Sequence, residues 1–309
     1  MSTAARVAAF VGALAVVFAA ALGLGRLTGS PAPAAQPEHQ PEHQPEQAGA
    51  GHTAGHTAGQ AGGHAGPVGL ERSADGFSIE LAEPVATAGR RGLAFVVRGP
   101  DGEPVVDYEV QHEKELHLVV VRRDLTGFQH VHPELDEATG TWTTRVDLTP
   151  GTWRVLADLD PAAGDPVVLG TDLHVAGTTT PRPLGDDRLD GAVGGYDVTL
   201  AGGLAAGHET TLTATVSRDG VPVTDLEPYL GALGHLVALR DGDVGYLHVH
   251  PEESDHHGPA VTFATTFPSA GRYRLFLEFQ HEGTVRMVPF TVTVTDGGDE
   301  HGHDESGAH

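Results

Sequence analysis

The stretch HLVALRDGDVGYLHVHPE, residues 235–252, decides the fold that this sequence predicts. Two short runs rich in apolar and β-branched residues flank a compact turn, and this pattern is typical of a β-hairpin. Gly242-Asp243 is a favourable two-residue loop, because glycine adopts positive φ at the first loop position. Counting outward from this loop pairs Leu239 with Tyr246.

The same register brings three histidines together. It places His235 opposite His250, and His248 lies two residues along the same strand and therefore on the same face. Directly opposed Cβ atoms in such a pair are about 4.5–5.5 Å apart. Imidazoles at this spacing can converge on one metal ion at metal–nitrogen distances of about 2.0–2.1 Å.

A second copy of the pattern, HLVVVRRDLTGFQHVHPE, occupies residues 117–134. Its three histidines, its proline and its final glutamate each lie 118 residues before their counterparts, and this regularity indicates an internal duplication. If Asp124-Leu125 forms the loop, His117 lies opposite His132, with His130 on the same face.

The duplication predicts a three-histidine metal site in each copy. Glu134 and Glu252 follow the histidines and are candidate fourth ligands or acceptors for an imidazole N–H, although the favoured interpretation of both is an ordinary solvated loop carboxylate. The alternative for the histidines is a structural cluster whose imidazoles bond to backbone or carboxylate groups. The predicted metal ligands are His117, His130, His132, His235, His248 and His250.

The histidine-bearing face also carries large apolar residues in both copies, so we expect it to face the core of its own domain, with the histidines half-buried near one end. Four histidines without a matched partner are expected to be ordinary structural or surface residues: His112, His174, His208 and His281.

The chain around the two copies predicts an all-β fold. Each block of about 100 residues contains seven or eight short strand-like runs separated by turn residues, which indicates an immunoglobulin-like β-sandwich. We therefore expect two tandem sandwiches, at residues 70–177 and 191–295, joined by a proline-bearing linker at 178–190.

The composition limits the chemistry of any site. A net charge of −24 makes nucleic-acid binding unfavourable. The chain has no cysteine and only two methionines, so thiolate and thioether metal sites are excluded, whereas it has 20 histidines. Imidazole and carboxylate ligands favour Cu(II), Zn(II) or Ni(II).

The two ends of the chain have a different character. Residues 7–25 form an uncharged run between two arginines, so residues 1–27 are predicted to be a membrane anchor or, alternatively, a cleaved signal peptide. Residues 28–69 are predicted to be a disordered linker rich in His, Pro and Gly, and residues 296–309 a disordered acidic tail with histidines. Either N-terminal alternative places the sandwiches outside the cytoplasmic membrane, as a single-pass membrane protein or a secreted one.

The motif His-Leu-Val…His-Val-His-Pro-Glu, together with GRYRLFLEFQ at residues 271–280, resembles bacterial secreted or membrane-anchored heavy-metal-binding proteins of the YtkA-like type. These in turn are similar to copper-resistance β-sandwiches of the CopC type. The resemblance covers about two-thirds of the chain. It implies binding of a divalent transition metal, copper first, for buffering, delivery or resistance, and an envelope metal-transport partner. This sequence lacks the methionine-rich segment and the N-terminal histidine of the copper carriers.

Two other functions remain open at this point. One is a structural or interaction module with paired immunoglobulin-like domains and no metal. The other is a metal-dependent hydrolase or oxidoreductase, since three histidines with an open position can activate water. We expect no enzyme, because the sequence shows no nucleophile motif and no repeated pair of carboxylates to complete an active site.

Overall fold

The structure, a computed structural model, describes residues 67–252 and 257–297, and it describes the backbone but not the side chains of His248 and His250. The predicted anchor and nearly all of the predicted linker and tail lie outside the described residues. Within the described residues, no helix is long and apolar enough to cross a membrane.

The first half of the described chain is a sandwich of two five-stranded sheets, with strand orders β1-β2-β4-β8-β7 and β3-β10-β9-β5-β6. Its strands are β1 (Ser73–Ala74), β2 (Phe77–Leu81), β3 (Val85–Thr87), β4 (Gly89–Arg98), β5 (Leu116–Arg122), β6 (Gln129–Val131), β7 (Glu134–Asp136), β8 (Thr141–Leu148), β9 (Gly151–Leu159) and β10 (Val167–Ala176).

The second half is one nine-stranded sheet that folds over its own core, in the order β11-β12-β13-β17-β16-β15-β18-β19 with β14 paired to β13. Its strands are β11 (Asp190–Val193), β12 (Tyr196–Gly202), β13 (Glu209–Arg218), β14 (Val221–Pro222), β15 (His235–Arg240), β16 (Tyr246–Pro251), β17 (Ala260–Thr266), β18 (Gly271–His281) and β19 (Thr284–Val294). The prediction of two tandem all-β sandwiches is confirmed.

Each sandwich buries its own apolar core. Trp142 and Trp153 are fully buried in the first core, and Tyr196, Phe263 and Phe290 are fully buried in the second. Strand β16 differs from its counterpart in the first copy. It continues through Pro251 and pairs with both β15 and β17, whereas in the first sandwich the chain breaks between β6 and β7 at His132 and Pro133.

Both predicted hairpin registers are confirmed. In the second copy Leu239 pairs with Tyr246 and Val237 with His248, and in the first copy Leu118 pairs with Val131. The loop of the second hairpin is longer than the predicted two residues, because Val244 N–H donates to the Arg240 carbonyl and Val244 itself has a φ of +62°. Gly242 has the predicted positive φ, at +97°.

We expected the face that carries the histidines to line the core of its own sandwich, because it carries large apolar residues. The structure shows that it does not. It packs against the same face of the other sandwich and forms a third apolar cluster between the two. Phe128 of the first sandwich stacks on Phe276 of the second, with ring centroids 4.0 Å apart. The prediction was wrong because β5 and β15 are apolar on both sides, so their pattern alone does not tell which side faces the core.

Candidate metal centre

His117 lies on β5, on the side that faces the second sandwich, and is only 4% exposed. Its Nε2 atom is 2.9 Å from the Gln111 carbonyl oxygen. A carbonyl oxygen only accepts hydrogen bonds, so this contact assigns the ring proton to Nε2 and leaves the lone pair on Nδ1.

His130 lies on β6, opposite Val119 of β5, and its side chain is 4% exposed. Its Nδ1 atom is 2.7 Å from Oε2 of Glu278, a residue of β18 in the second sandwich. An ionised carboxylate accepts, so Nδ1 carries the proton and Nε2 carries the lone pair. The carboxylate thus fixes the ring orientation and tautomer of His130, as acceptors commonly do for metal-binding histidines.

The two nitrogens left with lone pairs face each other. His117 Nδ1 and His130 Nε2 are 3.1 Å apart. Two lone pairs at this distance repel unless a cation lies between them, either a second proton on one ring or a metal ion. Two nitrogens bound to one tetrahedral ion at the usual metal–nitrogen distance are about 3.3 Å apart, so the observed separation is compatible with a shared metal ion and equally with an N–H···N hydrogen bond.

His132 completes the group. One ligand nitrogen from each of His117, His130 and His132 lies within 4.8 Å of the other two. His132 Nε2 is buried and has no hydrogen-bond partner within the described part of the chain. Leaving such an atom unsatisfied costs about 1–3 kcal/mol, and coordination of a metal ion would remove this cost.

His132 is held in its neutral form. Burial, followed by the charges of His130, His117, Lys114 and His235, lowers the pKa of His132 to about 3. A neutral imidazole is the form that binds metal ions, so no proton has to leave this residue before coordination at neutral pH.

His235, the matched residue of His117, lies on β15 and is also 4% exposed. Its Nε2 atom is 2.8 Å from the Tyr229 carbonyl oxygen, which is the counterpart of Gln111 at an offset of 118 residues. Burial lowers the pKa of His235 to about 3, although the bond to Tyr229 opposes this shift. The duplication therefore preserved the acceptor that orients the first histidine as well as the histidine itself.

The two candidate glutamates are not brought into this group. Glu134 is exposed on β7, opposite Thr143 of β8, and Glu252 is exposed after β16. Neither belongs to the set of converging ligand atoms found among the described residues. The backbones of His248 and His250 lie on β16 as predicted, and their side chains lie outside the description.

Two residues of the site were missed by the sequence analysis. His112 was expected to be an ordinary histidine, but its ring centroid lies 6.0 Å from that of His117 and 5.5 Å from that of His235. Glu278 was not considered. The sequence does contain a signal for Glu278. When GTWRVLADLD at 151–160 is aligned with GRYRLFLEFQ at 271–280, Glu278 is the equivalent of Asp158. The offset there is 120 residues, two more than between the histidines, and this shift concealed the match.

The positive φ at His112 explains its position. His112 and Glu113 both have positive φ, at +46° and +64°, and form a two-residue turn closed by Gln111 and Lys114. Such a turn requires positive φ at both central residues, for which glycine or asparagine is the usual choice. Neither residue occurs here, so the sequence carried no recognisable turn signal.

Two stacked layers of largely antiparallel strands around a separate core define each half of the chain as a β-sandwich of the immunoglobulin-like class. The chain belongs to the family described as "Domain of unknown function (DUF8832)", whose model matches it twice, at residues 72–176 and 191–296. This double match shows the internal duplication. The resemblance to the YtkA-like and CopC-type proteins stays a prediction.

No curated protein matches this chain. Among solved structures, a DUF4426 family protein from Pseudomonas aeruginosa PAO1 is 8% identical, with a TM-score of 0.28 over 35% of this chain and 97% of that chain. The Escherichia coli adhesin FdeC is 14% identical, with a TM-score of 0.23 over 73% of this chain and 65% of the adhesin. A two-domain fibronectin type III segment of chicken tenascin is 8% identical, with a TM-score of 0.22 over 70% and 97%. TM-scores this low carry no functional argument.

Proposed function

We propose that this chain binds a divalent transition metal ion through His117, His130 and His132. The observation that carries the proposal is the convergence of one ligand nitrogen from each of these three histidines to within 4.8 Å of the other two. Three buried or half-buried imidazoles form a ligand set that leaves one tetrahedral position open.

Copper is the metal that we propose first. The chain offers nitrogen and oxygen ligands but no thiolate, and for such ligands Cu(II) binds more tightly than Ni(II) or Zn(II). We propose further that the chain acts outside the cytoplasmic membrane, anchored by residues 7–25 or secreted, in copper buffering, delivery or resistance, with an envelope metal-transport protein as partner. We propose no catalytic activity.

The test compares metal affinity in the full-length protein and in a variant in which His117, His130 and His132 are replaced by Ala. Isothermal titration with Cu(II) and Zn(II), in a buffer with excess glycine as a weak competitor, suppresses loose binding by the histidines of the linker and the tail. We expect the variant to lose at least about 100-fold in affinity, since removal of a single supporting group already costs about 10–100-fold.

His174→Ala is the matched control. His174 is exposed on β10 and pairs there with Thr152, outside the site. We expect this variant to bind metal like the wild type. Equal affinity of the triple variant and the wild type would contradict the proposed site.

A second candidate function is an interaction module in which the histidines only connect the two sandwiches. The hydrogen bond between His130 Nδ1 and Glu278 favours it, because this contact joins the two sandwiches without a metal ion. In that case the purified wild type would contain no metal, and its thermal unfolding would not respond to Cu(II) or Zn(II).

A further inference from the structure

The two copies of the duplicated strand pair face each other across the interface. Asp158 lies beside His117 in the pairing of β9 with β5, and Glu278 lies beside His235 in the pairing of β18 with β15. Each carboxylate reaches the other sandwich: Glu278 accepts from His130, and Asp158 Oδ2 accepts from the Tyr246 hydroxyl at 2.9 Å. The same surface is thus used by both partners, as in a two-fold symmetric dimer.

This arrangement brings histidines of both copies into one region. The ring centroid of His235 is 6.5 Å from that of His130 and 5.5 Å from that of His112. Two imidazoles on one ion, at the usual metal–nitrogen distance, have centroids about 5–6 Å apart. His235 lies outside the set of converging ligand atoms found among the described residues, and a shift of its ring by about 1 Å toward His130 would bring the two centroids into this range.

The orientation of His235 also suits a ligand. Its Nε2 atom is committed to the Tyr229 carbonyl oxygen, so the lone pair is on Nδ1, as it is in His117. The His112 ring lies edge to face with the rings of both His117 and His235.

We propose that the metal centre is shared by both sandwiches, with His235 as a further imidazole ligand beside His117, His130 and His132 and with Glu278 as the residue that positions His130. This inference rests on the proposed function, since it concerns the same ion. It replaces the expectation of one independent ion in each sandwich.

Two physical consequences distinguish a shared centre from two separate ones. A dication surrounded only by neutral imidazoles carries its full charge into a buried site, and the buried Glu278 carboxylate beside His130 partly compensates it. An ion with ligands from both sandwiches also stabilises their contact, because it binds the associated arrangement and not the separated one.

The test is electron spin-echo modulation of the full-length protein loaded with one equivalent of Cu(II), with glycine as the competitor. The modulation counts the imidazoles on the ion. We expect His235→Gln to lose one imidazole from the wild-type count and at least about 10-fold in affinity, since an amide is a poor ligand for Cu(II). The glutamine side chain can still donate to the Tyr229 carbonyl, so the fold is preserved.

Glu278 is tested as a positioning residue. We expect Glu278→Ala to lower Cu(II) affinity by about 10–100-fold and to broaden the copper signal, because His130 loses the acceptor that fixes its ring. Glu278→Gln retains an acceptor at the same place, so we expect partial rescue of both affinity and signal. A residue that only supports the fold would show neither the signal change nor this rescue.

The outcomes separate the two proposals. If His235→Gln and Glu278→Ala bind Cu(II) with the wild-type affinity and signal while the His117, His130 and His132 variant does not bind, the shared centre is wrong and the proposed function stands. If the wild type itself binds no metal, both are wrong. His174→Ala serves again as the control that leaves every readout unchanged.

Discussion

Asp172 of β10 shows how single charged residues support the contact between the sandwiches. It accepts hydrogen bonds from Arg123 at 2.8 Å and from the buried Arg154 at 3.1 Å. Arg123 also donates to the Asp243 carbonyl of the second sandwich. Arg154 donates to the Gly69 carbonyl, in the segment that precedes β1. One carboxylate therefore orients two arginines that connect separate parts of the molecule.

The pKa of Asp172 predicts how stability depends on pH. Burial alone raises this pKa, but the hydrogen bonds from Arg123 and Arg154 lower it more, so it lies below its ordinary value of 3.8. A carboxyl with a lowered native pKa stabilises the fold fully above its unfolded-chain pKa and loses this contribution as the pH falls through the native pKa. We expect Asp172→Asn to reduce the free energy of unfolding by about 2 kcal/mol at pH 7.

Denaturant unfolding between pH 7 and pH 3 measures this effect. The difference between wild type and Asp172→Asn should be constant down to about pH 4 and should shrink below it. Asp165→Asn, at an exposed position before β10, is the control and should change stability little at any pH. A difference that grows on acidification would show that the assignment is wrong.

The candidate ligands were predictable at the residue scale, but their surroundings were not. Repetition at a fixed offset identified His117, His130 and His132 from the sequence. The acceptors that orient them, the Gln111 carbonyl and Glu278, are a backbone group and a residue 148 positions away from His130. Neither leaves a local pattern in the sequence.

At the scale of strands and hairpins, register was the best-predicted property. Side chains alternate along a strand, so a shift by one residue would move every histidine to the other face, and the turn leaves little freedom. Short strands without an apolar run leave no strand pattern in the sequence. Examples are β3 and β11, whose residues are largely exposed and whose pairing is set by their neighbours in the sheet.

Gly170 of β10 provides a test at this scale. A Cβ atom at this position would lie 1.9 Å from the Gly69 carbonyl oxygen, because the segment that precedes β1 packs against β10 here. The Gly69 carbonyl belongs to the backbone, which cannot move aside as a flexible side chain can. We therefore expect Gly170→Ala to lower the free energy of unfolding by about 1–3 kcal/mol.

Gly92 of β4 is the matched control for Gly170, because a Cβ atom there would meet nothing within 4 Å. We expect Gly92→Ala to leave stability unchanged or to raise it by up to about 1 kcal/mol, since alanine loses less conformational entropy on folding. Urea unfolding of both variants makes the comparison. Equal stability of the Gly170→Ala and Gly92→Ala variants would show that the segment preceding β1 does not pack against β10.

At the scale of the whole molecule, we expect the apolar contact between the sandwiches to couple their unfolding. Phe276 is 3% exposed although it points away from the core of its own sandwich, because it stacks on Phe128. We expect Phe276→Ala to cost about 3–5 kcal/mol. Because this loss falls on the contact, calorimetry should show one unfolding transition in the wild type and two in the variant.

Val285→Ala, at a position on β19 that is 38% exposed, is the control for Phe276→Ala and should keep a single transition. Two transitions in the wild type as well would mean that the sandwiches unfold independently. The contact would then be too weak to support a shared metal centre.

The sequence by itself determined the all-β fold, the duplication, both hairpin registers and the grouping of His117, His130 and His132. These properties depend on local periodicity, on turn chemistry and on repetition, all of which are written in neighbouring residues. The tertiary structure alone decided what that face contacts. The runs at 117–121 and 235–239 are apolar on both sides of the strand. Their pattern is therefore equally compatible with packing on the core of their own sandwich and with packing on the other sandwich. Only the packing of the two sandwiches brings Glu278 into hydrogen-bond contact with His130 and brings His235 near the histidines of the first sandwich. The sequence does not show these contacts, because they join residues far apart in the chain.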